Sequence, residues 1–255
     1  MLPGFKTELA GKTALLGAWS TTRDPVIAEK LALTGFDYVC VDQQHGLIGF
    51  DSFVATMTAL ARTGAAPLVR VARNDATEIG RALDAGANGV IVPLVDDAAQ
   101  AGQAVAACRY APAGTRSFGP TRSYFGAGTD PYQVNDAVCC LVMIETLRGM
   151  QNVREIAGVP GVDGIYVGPA DLALSYGHAP GPGAGAGPLA DALQQILAAC
   201  KEHGIAAGIH TSSVKEALRY LEMGFRMVTV VTDIRLLQIA AGEQLKAVRE
   251  GLGSL

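Results

Sequence analysis

Residue types able to do acid–base or metal chemistry recur at the ends of short apolar runs. The run YVCVDQQH closes on Asp42, Gln43, Gln44 and His45. Arg70 stands in PLVRVA, Glu145 in VCCLVMIET, Asp171 in GIYVGPAD, His210 in AAGIHT and Asp233 in MVTVVTD. An acid that ends an apolar run is costly to bury without a partner. Glu145 and Asp171 have no Cys or paired His nearby, so together they make an oxygen-donor pair. Such a pair suits Mg²⁺, Mn²⁺ or a similar divalent ion, with positions left for water and substrate. The bland alternative is a salt bridge at Glu145 and a helix cap at Asp171. His45, followed by Gly46, suits a general base, or is structural. Arg70 in an apolar strand needs an anion, either substrate or an internal partner such as Asp42 or Glu145. Trp19, the single Trp, walls a pocket or fills the core. Gly168, Pro169 and Ala170 form a tight turn whose backbone N–H groups can bind a carboxylate. His210 and Asp233 carry no assigned role.

Something must bring these ends together. Eight apolar runs are legible: Leu15–Ser20, Tyr38–His45, Pro67–Ala72, Gly89–Val95, Val138–Thr146, Gly164–Asp171, Ala206–Thr211 and Met227–Asp233. Most are continuously apolar, which fits parallel strands buried on both faces. Ala-rich segments with helical spacing alternate with them. Ile79, Leu83 and Ala87 follow Asn74 and Asp75; Leu193, Ile196, Leu197 and Cys200 form another stripe; Val214, Leu218 and Leu221 follow Ser212 and Ser213. Gly35, Gly86, Gly204 and Gly224 stand where helices should end. Eight β–α units predict a TIM barrel, an α/β fold in which residues 1–255 form a single domain. A doubly wound open sheet is the alternative, but no GxGxxG follows an early strand. In a barrel, chemistry sits at the C-terminal ends of the strands. Two segments exceed ordinary loop length. Ala111–Asn135, with Arg116, Arg122, Tyr124 and Phe125, could pack on a neighbouring subunit. His178–Pro188, nearly all Gly, Ala and Pro, could flank the mouth of the site.

Composition closes off other classes. The chain has 255 residues, 49% hydrophobic and only 17% charged, which argues against disorder. The net charge of −4 comes with scattered Lys and Arg, so nucleic acid is not an expected partner. No run reaches the length of a membrane span, and the start MLPGFKTELAGK has no secretory apolar region. The five Cys contain no CxxC pair and read as small buried residues in a reducing cytoplasm.

Five segments then point to one family. GFDYVCVDQQHG at 35–46, PLVRV at 67–71, LDAGANGVIVP at 83–93, MIET at 143–146 and VDGIYVGPADL at 162–172 occur in its order and spacing. The chain resembles the HpcH/HpaI aldolase/citrate lyase family. Within it, the likeness is to the metal-dependent pyruvate aldolases acting on 4-hydroxy-2-oxoheptanedioate and 2-dehydro-3-deoxyglucarate. The resemblance implies a TIM barrel, a homo-hexamer built as a trimer of dimers, and Mg²⁺, Mn²⁺ or Co²⁺ as cofactor. It implies reversible cleavage of 4-hydroxy-2-oxo acids to pyruvate and an aldehyde, in sugar-acid or aromatic catabolism. His45 matches the base, Arg70 the transition-state stabiliser, and Glu145 and Asp171 the metal ligands. Ala170 matches a backbone contact to the substrate carboxylate. Asp84 matches a residue that raises the basicity of the histidine, although the pattern puts it near a helix C-terminus away from the site. Met143 stands where members often have a substrate-contacting Gln. No Lys ends a strand, which argues against Schiff-base chemistry. The competing readings are an acyl-CoA ester lyase of the citrate or malyl-CoA type, oxaloacetate decarboxylation by the same enolate chemistry, and a non-catalytic 2-oxo-acid-binding barrel. No basic cluster for a nucleotide is evident, which counts against the first.

Overall fold

The computed structural model describes residues 4–11, 13–122, 130–180 and 188–252. Helix α1 (Phe5–Ala10) precedes β1 (Leu15–Ser20), α2 (Pro25–Ala32), β2 (Tyr38–Asp42), α3 (Phe50–Leu60), β3 (Ala66–Arg70), α4 (Ala76–Asp84), β4 (Gly89–Val92) and α5 (Ala98–Cys108). Then follow α6 (Pro131–Ala137), β5 (Cys139–Ile144), α7 (Leu147–Gln151), α8 (Val153–Ala157), β6 (Gly164–Val167) and α9 (Pro169–Ser175). The chain continues through α10 (Pro188–His203), β7 (Ala206–His210), α11 (Val214–Met223), β8 (Met227–Thr232) and α12 (Asp233–Leu252). The eight strands are parallel, pair in chain order and close with β8 beside β1. The barrel alternative is therefore the right one, and the open sheet is not.

Strand alternation splits the core in two. Leu15, Trp19, Tyr38, Cys40, Leu68, Ile91, Leu141, Met143, Tyr166 and Met227 fill the barrel, and Phe5 and Leu9 of α1 pack with them. The opposite parity, including Val39, Val41, Val69, Val90, Val142, Ile165 and Val228, packs under the helices. That double burial is why the runs read as continuously apolar. Bulk inside is balanced by absent side chains: a Cβ at Gly17 would sit inside the ring of Tyr38. The buried hydroxyls of Tyr38 and Tyr166 both meet Thr229 Oγ1, at 3.2 and 2.5 Å, so neither is left unpaired.

Most helix signals hold. Asp75 and Ser213 cap α4 and α11 with their side chains. Gly35, Gly86, Gly204 and Gly224 all have positive φ, between 67° and 111°, where a side chain would be strained. The Val214–Leu218–Leu221 stripe does not hold. Val214 and Leu218 are exposed, and α11 buries Ala217 and Tyr220 instead. Val214 borders the cavity at the barrel mouth rather than the core. Arg116 is likewise internal, not offered to a neighbour: it is buried and donates to Asp84 Oδ1 at 2.6 Å. Asn135 brackets Tyr110, accepting from its N–H at 2.6 Å and donating to its carbonyl at 3.1 Å. Tyr124 and Phe125 lie outside the described residues, as does most of the Gly-rich segment (181–187); Pro180, at its start, lines the cavity. All five cysteines are free and buried. Among the described residues, no helix is long and apolar enough to cross a membrane.

Asp233 closes the ring. Its buried carboxylate accepts from the backbone N–H and the hydroxyl of both Thr21 and Thr22, at 2.6–3.0 Å. These bonds hold its pKa below the usual carboxylate range although burial alone would raise it. Asp233→Ala strands several half-buried donors of Thr21 and Thr22 together. The expected loss is about 3 kcal/mol of unfolding free energy by urea titration. A loss within error of zero would show the clasp to be unimportant.

Candidate active site

The parity that fills the barrel also builds the site, one layer further up. On β2 and β3, Asp42 and Arg70 are direct register partners, and both continue the inward-facing set. Arg70 therefore reaches Asp42 as a fork: Nε donates to Oδ1 at 2.9 Å and Nη2 to Oδ2 at 2.5 Å. Trp19 Nε1 donates to Asp42 Oδ2 at 3.1 Å, and the N–H groups of Gln44 and His45 donate to Oδ1 at 3.0 and 3.2 Å. Burial opposes the charge on Asp42. The Arg70 bonds and charge outweigh it and hold the carboxyl below its ordinary range. So the anion that Arg70 requires is Asp42, the internal partner. The third guanidinium nitrogen, Nη1, has no hydrogen-bond partner among the described residues, and Arg70 lines the cavity.

Asp42 is the residue whose weight the sequence concealed. It joins Trp19, Arg70 and the backbone of the His45 turn into one unit. His45 itself is exposed and borders the cavity. Trp19 does both jobs proposed for it. It is 2% exposed, stacks on Tyr166 at 5.5 Å, carries the Arg70 guanidinium 5.2 Å from its ring centroid, and lines the cavity.

Glu145 follows β5 by one residue and keeps its inward parity; it is 2% exposed. Its Oε1 accepts the N–H of Leu94 at 2.8 Å. Leu94 has φ 55°, a left-handed backbone that a leucine rarely adopts, and no sequence signal marks it. A Cβ at Gly168 would lie 2.5 Å from Glu145 Oε2, so a larger residue there would displace the Glu145 carboxylate. Burial raises Glu145 to about 7, and the charge of Asp171 pushes in the same direction. Among the described residues Glu145 has no salt bridge. Asp171 does not end a strand, as its run suggested: β6 stops at Val167, and Asp171 is exposed in the first turn of α9. It is not the helix cap either, since that position is Gly168. Gly168, Pro169, Ala170 and Asp171 all line the cavity. Met143 sits one layer below Glu145, 1% exposed, and gives the cavity an apolar floor beside Tyr166. His210, which ends β7, lies edge-on to Trp19 at 5.1 Å; burial and then Arg70 lower it to about 4, so it is neutral near pH 7.

Asp84 is the exception. It ends α4, and Arg116 holds its carboxylate. Helices return to the N-terminal ends of the strands, so within one chain Asp84 lies away from His45. Among the described residues no cluster of three or more His, Cys, Asp or Glu forms a metal cage.

Acid, guanidinium and imidazole thus share one cavity of about 750 Å³ at the C-terminal mouth of a closed barrel. In enzymes built on such barrels the active site lies at that face. The family model for HpcH/HpaI aldolase/citrate lyase matches residues 15–240, and the chain belongs to that family. It is 38% identical over 245 residues to the 2-dehydro-3,6-dideoxy-6-sulfogluconate aldolase of Pseudomonas putida, covering 94% of this chain and 95% of the relative. It is 38% identical over 239 residues to the 5-keto-4-deoxy-D-glucarate aldolase of Enterobacter sp. (strain 638), covering 92% and 93%. A crystal structure of a family member from Burkholderia cenocepacia J2315 superposes with a TM-score of 0.88 at 32% identity, covering 96% of this chain and 98% of that one. The protein is a carbon–carbon lyase of the aldolase type.

Proposed function

We propose that the protein reversibly cleaves 4-hydroxy-2-oxo acids to pyruvate and an aldehyde, with a divalent ion held by Glu145 and Asp171. One observation carries the metal assignment. Glu145 is a buried carboxylate with no salt bridge among the described residues, and a second carboxylate on the next strand–helix turn adds to its cost. A divalent ion removes that cost, and the all-oxygen pair suits Mg²⁺, Mn²⁺ or Co²⁺. When bound, such an ion supplies Lewis acidity toward the 2-oxo group.

The chain's own residues do the rest. The first-turn amides of Ala170 and Asp171 have no partner among the described residues, and α9 begins with Pro169, whose missing N–H leaves the turn open; this supports binding of the substrate carboxylate there. Arg70, immobilised by Asp42, offers Nη1 where negative charge develops on the enolate oxygen. His45, at the cavity rim, takes the C4 hydroxyl proton as the C3–C4 bond breaks. Trp19 and Met143 exclude water from the floor. Asp84 has no part in this within one chain.

The span of the family match supports reading residues 1–255 as one barrel domain. The exposed apolar residues of α12, among them Leu237, Val248 and Leu252 at 60–62%, support a homo-oligomer such as the hexamer that the resemblance implies. Five free, buried thiols fit a cytoplasmic protein.

Incubation with pyruvate in D₂O tests the central reading without a choice of aldehyde. Methyl deuteration, followed by NMR, is expected with added Mg²⁺, Mn²⁺ or Co²⁺. It should stop with chelator and fall at least 100-fold in Glu145→Ala. Absence of exchange with all three ions, in folded protein, would refute the assignment.

A further inference from the structure

The cavity is larger than a three-carbon oxo acid requires. The groups assigned to pyruvate account for one part of its wall. Another part comes from the turn between β7 and α11, from α11 itself and from the start of α12, and it includes Ser212, Glu216, Tyr220 and Arg235. The aldehyde portion of an aldol substrate has to occupy what pyruvate leaves free.

The charges on that wall are unequal. Arg70 and Arg235 are the two permanent cations among the lining residues. Arg70 is committed to Asp42 through two bonds. Arg235 makes no salt bridge or hydrogen bond among the described residues, and the segment 181–187 contains no acid that could pair with it. The nearby carboxylate, Glu216, is engaged: its Oε2 accepts from Ser212 N at 2.9 Å and Ser212 Oγ at 2.6 Å. Arg235 stands two residues after Asp233, which the bonds to Thr21 and Thr22 hold in place, so its stem leaves a fixed point. An uncommitted guanidinium fork over a substrate-sized cavity matches the two or three oxygens of an oxyanion.

We propose that Arg235 determines specificity by binding a terminal oxyanion, a carboxylate or sulfonate, on the aldehyde portion of the substrate. This rests on the pyruvate-aldolase reading above. The charge of Arg235 also reaches His210 and helps to keep that imidazole neutral, able to donate one hydrogen bond and accept another beside the bound chain.

The test is aldol addition of pyruvate, with Mg²⁺ or Mn²⁺, to 4-oxobutanoate, to its neutral isostere 4-oxobutanamide, and to 3-sulfopropanal. The wild-type protein is expected to prefer a charged aldehyde over the amide at least tenfold in kcat/KM, mostly through KM. Whichever of carboxylate and sulfonate is preferred identifies the oxyanion. Arg235→Gln should cut the charged-over-neutral ratio at least tenfold, and Arg235→Lys should restore most of it. Equal rates with charged and neutral aldehydes, including no addition to either, overturn the proposal, as does an unchanged ratio in Arg235→Gln. Pyruvate deuteration by the wild-type protein separates the two failures. Without exchange the aldolase reading falls and takes this inference with it; exchange without oxyanion preference overturns the inference alone.

Discussion

Arg70→Ala is expected to lose about 3–5 kcal/mol of unfolding free energy together with pyruvate proton exchange. The reason is Asp42, which is 1% exposed and takes both arms of the Arg70 fork. Removing one member of a buried pair leaves the other charge uncompensated, and that costs far more than the pair contributes. The pH dependence gives the sign. In the wild-type protein Asp42 lies below its ordinary range, so its contribution is present above the unfolded pKa and is lost as pH falls through the folded value. Burial is already the largest single influence on Asp42; without Arg70 it is no longer offset and raises the carboxyl, so the variant loses stability as pH rises. The deficit relative to wild type should therefore be larger at pH 8 than at pH 5, read by urea denaturation. Trp19 fluorescence reports the same pocket, because its Nε1 donates to Asp42. A deficit that does not grow with pH would mean that Asp42 is not the group left unpaired.

Glu145→Gln should separate stability from activity in opposite directions. Burial raises the Glu145 carboxyl from near 4.5 to about 7. A folded pKa above the unfolded one contributes stability at low pH that is lost as pH rises through the folded value. In chelator, ionised Glu145 thus costs the wild-type protein up to about 3 kcal/mol at pH 8, at about 1.4 kcal/mol per pKa unit. Glutamine keeps the acceptor for the Leu94 N–H and carries no charge. The chelated variant should melt higher than chelated wild type at pH 8, with the gap closing toward pH 5. Millimolar Mg²⁺ or Mn²⁺ should reverse the order by stabilising only the wild type, while exchange in the variant drops at least 100-fold. A chelated variant that melts lower than wild type at pH 8 would show that Glu145 is not electrostatically strained.

Local pattern made the architecture readable, together with the candidate groups at the barrel mouth. Apolar runs, capping residues such as Asp75 and Ser213, and the helix-ending glycines are short-range signals, and each acts through its own backbone. Ends of strands were placed less well. The run to Asp171 contains both a strand and a helix start, because an apolar stretch before Gly-Pro looks alike in either state. The placement of Asp84 is not legible locally: it depends on where α4 returns, and there Arg116 from a distant segment holds its carboxylate.

The amino-acid sequence by itself determined the barrel, the set of His45, Arg70, Glu145 and Asp171 at its mouth, and the family those motifs announce. The barrel and the groups at its mouth follow from periodicity and residue type along the chain; the family follows from the likeness of the motifs. Only the tertiary structure decided which charges meet. Register between β2 and β3 commits Arg70 to Asp42; an unusual backbone at Leu94 brings an N–H to Glu145; closure of β8 on β1 places Asp233 on Thr21 and Thr22 and leaves Arg235 unclaimed beside the cavity. Such pairings join residues tens to hundreds of positions apart. Burial turns each into a large energy of one sign or the other, and no local pattern carries that information.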